Sequence, residues 1–115
     1  MALKTIIAFR GMENSEAVKE AVEKRAEKIE RHFPHVQRCE AVIEQAFKSQ
    51  SQGNLFQVSL ELEVPGHDNV HVSQDGGKDS AHEDVYVAIR DSFQAAYSQL
   101  ERLKTAEMDS RRAEA

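Results

Sequence analysis

At 115 residues the chain has room for one compact domain, and a second domain with its own core is excluded. A hydrophobic share of 40%, a charged share of 30% and a formal net charge of −5 exclude a protein that is basic all round, as classical nucleic-acid binders are. No apolar run approaches about 18 residues, so no membrane span is expected, and the single cysteine, Cys39, cannot close an internal disulfide.

Leu3 to Phe9 alternates Leu3, Thr5, Ile7 and Phe9 against Lys4, Ile6, Ala8 and Arg10, which predicts a first strand that ends at Gly11. Asn14 or Ser15 then supplies an N-cap for a helix starting near Glu16. Its apolar residues are Val18, Val22, Ala26, Ile29 and Phe33, spaced as one helical face, and Pro34 ends it. Arg38 to Lys48 predicts a second strand, with Cys39, Ala41, Ile43 and Phe47 on one side and Val42 and Ala46 on the other. Ser49 to Asn54, containing Gly53, is a polar turn.

A third strand shows the clearest alternation. Phe56, Val58, Leu60, Leu62 and Val64 face a core, and Gln57, Ser59, Glu61 and Glu63 face water, as in an antiparallel sheet covered on one side. Pro65-Gly66 marks a turn, and Val70 and Val72 flank His71 in a short fourth strand. Ser73 to Ala81 is rich in Gly and Asp and reads as a loop. From about Glu83 to about Ala106 the apolar residues Val85, Ile89, Phe93, Ala96, Leu100 and Leu103 predict a long helix. The order is β-α-β-β-β-α, an α+β two-layer sandwich with both helices on one face of a four-stranded sheet. Residues 1–106 form the single domain, and 107–115 are a polar tail expected to be disordered.

Charge on the first helix is sorted rather than mixed. At about 100° per residue, Glu16, Glu20, Glu23, Glu27 and Glu30 form a stripe about 120° from the apolar one. Lys24, Arg25, Lys28, Arg31 and His32 form a third stripe about another 120° round. A basic stripe suits a phosphate backbone. The same residues also allow Glu20–Lys24 and Glu27–Arg31 pairs, the pattern of a solvated helix.

Several segments together resemble a known family. These are Phe9-Arg10-Gly11-Met12, Ser15-Glu16-Ala17, Ala26-Glu27-Lys28-Ile29-Glu30-Arg31, Cys39-Glu40-Ala41-Val42-Ile43-Glu44, Gly53-Asn54-Leu55, Val64-Pro65-Gly66, and above all Asp84-Val85-Tyr86-Val87-Ala88-Ile89-Arg90-Asp91 followed by Gln99-Leu100-Glu101. In order and spacing, Thr5 to Lys104 resembles the ribosome hibernation-promoting factors, also called ribosome-associated protein Y or sigma-54 modulation proteins, in a short proteobacterial form. The resemblance implies a double-stranded-RNA-binding-like fold that binds the small ribosomal subunit between the subunits. There it would occupy the decoding region, where messenger and transfer RNA sit, and silence translation under stress. Longer members add a C-terminal dimerisation domain, which this chain is expected to lack.

The expected contacts to the RNA backbone are Arg10, Lys24, Arg25, Lys28, Arg31, Arg90, Arg102 and Lys104. Among them, Arg25 and Lys28 fall where the family commonly presents base on its first helix, and Arg102 and Lys104 fall in its basic second-helix end. The chain departs from the family at Ala95 and Ser98, where members often carry Lys or Arg, and it adds Asp75, Asp79, Glu83 and Asp84 before the second helix. Fewer bases mean weaker binding.

Other signals point to structure. His32, His35, His67, His71 and His82 show no metal-ligand spacing, so no metal is expected. Ser80, His82 and Asp84 lie in a polar loop and are not read as a triad. Cys39 alternates with core residues and reads as a packed thiol. Tyr86 is expected to be partly buried at the core edge. The expected protein is a cytoplasmic non-enzyme without cofactor or small-molecule substrate, a monomer or weak homodimer whose partner is the rRNA of the small ribosomal subunit. The alternative is a protein-interaction module of the same fold, with weak or no RNA binding, acting through the acidic stripe or an exposed strand edge.

Overall fold

The hydropathy pattern is realised as β1 (Lys4–Arg10), α1 (Glu16–His32), β2 (Arg38–Phe47), β3 (Asn54–Glu63), β4 (Val70–Ser73) and α2 (Val85–Glu114). The computed structural model describes residues 3–47, 54–73 and 84–114, with the side chains of 46–47, 54–55 and 106–114 outside that description. The predicted turn at 49–53, the loop at 74–83 with Ser80 and His82, and the side chain of Phe47 all lie outside the described residues.

The strands form one sheet in the order β1-β2-β3-β4. The β2–β3 and β3–β4 pairs are antiparallel, but β1 and β2 run parallel, so the sheet is mixed rather than antiparallel throughout. The reason is α1: a helix between two paired strands carries the chain back to the starting end, which a tight hairpin cannot do. Register then aligns the apolar positions into rows. Thr5, Cys39, Leu62 and Val70 form one row, and Ile7, Ala41, Leu60 and Val72 form the next. Together with Val18, Val22, Ala26 and Ile29 of α1 and Ala88, Ile89, Phe93 and Ala96 of α2, these rows make a continuous core. The intervening rows, Ile6-Glu40-Glu61-His71 and Ala8-Val42-Ser59-Ser73, lie on the opposite, uncovered face.

Local chemistry fixes the ends of the elements. Ser15, in extended backbone, accepts a hydrogen bond on Oγ from the Val18 N–H at 3.3 Å, which identifies it as the N-cap of α1. The Leu3 N–H donates to the carboxylate of Glu30, tying the start of β1 to the acidic flank of α1. The Asp84 carboxylate accepts from the Tyr86 N–H at 2.9 Å. That cap starts α2 at Val85, two residues after the expected start near Glu83. At its other end the backbone of α2 stays helical to Glu114, where the pattern placed the end near Ala106 and a disordered tail. Residues 107–114 contain neither Gly nor Pro, so the apolar stripe stops there but nothing breaks the helix. Between β3 and β4, the Val64 carbonyl accepts from the His67 N–H at 3.1 Å, with Gly66 at φ +82°. Pro65 then Gly66 at positive φ is the chemistry of a type II turn.

α2 sits close on the sheet because small residues line its inner side. Ala88, Ser92 and Ala96 are all fully buried. Ser92 Oγ donates to the Val58 carbonyl of β3 at 3.3 Å, which satisfies a hydroxyl that burial would otherwise penalise.

Candidate nucleic-acid interface

Spacing along α1 places Arg25, Lys28 and His32 on one line, and the packing turns that line towards α2. Lys28 Nζ sits 5.2 Å from the centre of the Tyr97 ring. Edge-to-face contacts hold that ring against Phe33 at 5.0 Å and against His32 at 5.7 Å. Tyr97 thus braces the lysine's ammonium by a cation–π contact. Arg25, Lys28, Gln94, Tyr97 and Ser98 rim a groove of about 300 Å³ between the helices, floored by Ile29 and Phe93. A basic seam therefore follows the joint between α1 and α2.

Ion pairing divides the bases into two groups. Lys19 and Lys24 are drawn to Glu16 at 3.8 Å and Glu20 at 4.0 Å, both on α1. Arg90 is held by its neighbour Asp91, with Nη2 at 3.1 Å and Nε at 3.2 Å from the same carboxylate oxygen. By contrast, among the described residues Arg25, Lys28 and Arg31 have no carboxylate within 4.0 Å. The expected Glu20–Lys24 pair forms and the Glu27–Arg31 pair does not. The uncompensated charge lies on the seam and on the crest of α1 beside it.

The remaining expected contacts are scattered. Arg10 pairs in register with Glu44 on the uncovered face of the sheet, away from the helices. Arg102 turns back on its own helix, its Nε donating to the Ser98 carbonyl at 3.4 Å. Lys104 Nζ lies 5.8 Å from the centre of the Phe33 ring. Thus Arg25, Lys28 and Lys104 share the α1–α2 joint, Lys24 and Arg31 stand on the outer side of α1, and Arg10 is elsewhere. Of the two departures, Ser98 lines the groove while Ala95 is half-buried and packs against the core. The expected departure at Ser98 therefore falls on the seam itself.

The seam ends in a larger, open cleft of about 530 Å³. Phe33, Val36, Val64 and Leu100 form its apolar floor. His32, His35, His67 and Lys104 stand around it, and among the described residues no Asp or Glu lines it. Sequence reading passed over Tyr97 and weighed the histidines only as metal ligands. The signal was present in part: Tyr97 follows Phe93 by four residues, which puts it on the shoulder of the apolar stripe.

Other groups have structural roles. Cys39 is fully buried in β2, and burial pushes its thiol from 9.0 up to about 12. Tyr86, expected at the core edge, is 48% exposed; its neighbour Val85 packs on the core instead. Asp84 serves as a helix cap. Among the described residues no cluster of three or more His, Cys, Asp or Glu could hold a metal ion, and no helix is long and apolar enough to cross a membrane.

A family model for the sigma 54 modulation protein / S30EA ribosomal protein matches residues 5–107. The chain belongs to this family. Two solved structures share its fold. One is a ribosomal subunit interface protein from Coxiella burnetii, with 14% identity, a TM-score of 0.68, and 90% of this chain and 99% of that one covered. The other is the N-terminal domain of Protein Y from Thermus thermophilus, at 20% identity with the same TM-score and coverage. No curated protein sequence matches the chain significantly. Both solved structures share the two-helix, four-stranded α+β architecture described above.

Proposed function

We propose that this protein binds the small ribosomal subunit through the α1–α2 seam, occupies the decoding region and so inhibits translation under stress. The mechanism is steric: Arg25, Lys28, Arg31 and Lys104 contact phosphates, and the body of the domain fills space that messenger and transfer RNA need. Lys24, Arg90 and Arg102 lie around this contact with their charge partly engaged within the protein, and Arg10 would touch RNA only if the uncovered sheet face were also enclosed.

The observation that carries this reading is the sorting of charge. An acidic protein can still present a local positive field if its acids lie elsewhere. Here Glu30 is turned to β1, Glu40, Glu44 and Glu61 lie on the uncovered sheet face, and among the described residues Arg25, Lys28 and Arg31 have no carboxylate partner. Binding by three or four bases releases a similar number of counterions, so the logarithm of affinity should fall with the logarithm of salt at a slope of about −3. Co-sedimentation with purified small subunits tests the reading. The protein is expected to pellet at low salt and to be released at moderate salt; failure to pellet at low salt would contradict it. The rival protein-interaction reading, through the acidic stripe or an exposed strand edge, is supported instead if light scattering shows a stable dimer.

A further inference from the structure

The cleft at the end of the seam is built unlike a simple phosphate-binding surface. Its floor is apolar, with Phe33 at the centre, and its rim offers flat imidazoles and an ammonium group. A volume of about 530 Å³ falls within the usual range for small-molecule sites and exceeds what one flat ring needs. The Tyr97 ring, which lines the groove beside Arg25 and Lys28, touches both His32 and Phe33 of this cleft, so the two lie side by side. Lys104, above Phe33, places a cation at the cleft mouth. Among the described residues the lining holds no carboxylate to repel a polyanion.

We propose that the cleft receives the base of one unpaired RNA nucleotide, whose neighbouring phosphates lie along Lys28 and Lys104. This rests on the RNA-binding reading above and adds a preference for unpaired nucleotides over continuous duplex. The chemistry is that of single-stranded RNA recognition: the base stacks on aromatic, imidazole and apolar surface while the cations hold the backbone. An apolar floor continuous with a basic seam suits a base attached to phosphates. A peptide would need an acidic flank to use the same rim.

The test uses the full chain and two labelled RNA probes, a plain duplex and the same duplex carrying one bulged adenosine. Fluorescence anisotropy is expected to show the bulged probe bound about tenfold more tightly, the effect of stacking one base. The imidazole NMR signals of His35 and His67 are expected to shift with the bulged probe and not with the plain one. Leu103→Asp, which sets a carboxylate in the cleft wall, should bring the ratio of the two affinities to about one. His35→Ala, at an exposed position, should lower the same ratio and covers the case in which Leu103→Asp does not fold. Equal affinities with unmoved imidazole signals would overturn this proposal and leave the RNA-binding reading standing. Failure of both probes to bind would overturn both. Displacement of the bulged probe by an acidic peptide with a leucine anchor at lower concentration than unlabelled bulged RNA needs would assign the cleft to a protein partner and overturn it as well.

Discussion

Gly11 and Gly66 both hold positive φ, +68° and +82°, but their surroundings differ. A Cβ on Gly11 would lie 2.5 Å from the backbone oxygen of Gln45, whereas one on Gly66 would meet nothing within 4 Å. Gly66→Ala carries mainly the left-handed backbone penalty, partly offset in the unfolded chain, and should cost about 1 kcal/mol. Gly11→Ala must also push the end of β2 away and should cost about 2–4 kcal/mol. Urea denaturation of the two variants checks the order, and a larger loss at Gly66 would refute it. Cys39 gives a second prediction at this scale. Below pH 9 its thiol is protonated in both folded and unfolded chains. Between 9.0 and about 12 the unfolded chain releases that proton while the folded one keeps it, so this contribution to stability falls as pH rises. Denaturation across that range should show wild type losing more stability than Cys39→Ala. A native thiol that reacts rapidly with a thiol reagent at neutral pH would argue against the buried placement.

At the scale of elements, α2 shows how a stripe read as a narrow line becomes a broad face. Ile89 is fully buried and Tyr86, three residues earlier, is 48% exposed. Ile89→Ala should therefore lower stability by about 2–5 kcal/mol, and Tyr86→Ala should stay within about 0.5 kcal/mol of wild type. Thermal melts of the two variants would contradict the packing if the losses were equal. Much of this level was legible in the sequence. The five apolar residues of α1, from Val18 to Phe33, all lie in the core as their spacing predicts, and Val58, Leu60 and Leu62 face it from β3. What escaped was set by tertiary contact. Ala88 and Ser92 are buried because α2 approaches the sheet closely, and a serine gives no hydrophobic signal of that. The parallel β1–β2 pair depends on the path of α1, and the continued helix after Ala106 follows backbone preference beyond the apolar stripe. The three charge stripes of α1 were readable from its wheel. That the basic one meets Tyr97 was not, because it requires the second helix in place.

Across the whole molecule, charge and shape separate what composition averages. The formal net charge of −5 is a sum over a chain in which some bases pair with acids, as Lys24 does with Glu20, while among the described residues Arg25, Lys28 and Arg31 have no carboxylate partner. A ribosomal family in which Ser98 stands on the seam should bind with fewer ionic contacts than a member with a base there, and Ser98→Arg is the natural gain-of-affinity variant. The central claim is that the uncompensated cations of the α1–α2 seam hold the protein on the small subunit. Its most direct test is quantitative co-sedimentation of Arg25→Glu/Lys28→Glu beside wild type at low salt, with folding confirmed by circular dichroism. The account expects wild type in the small-subunit pellet and the double variant at least tenfold weaker, with a shallower dependence on salt; equal pelleting of the two proteins would contradict it.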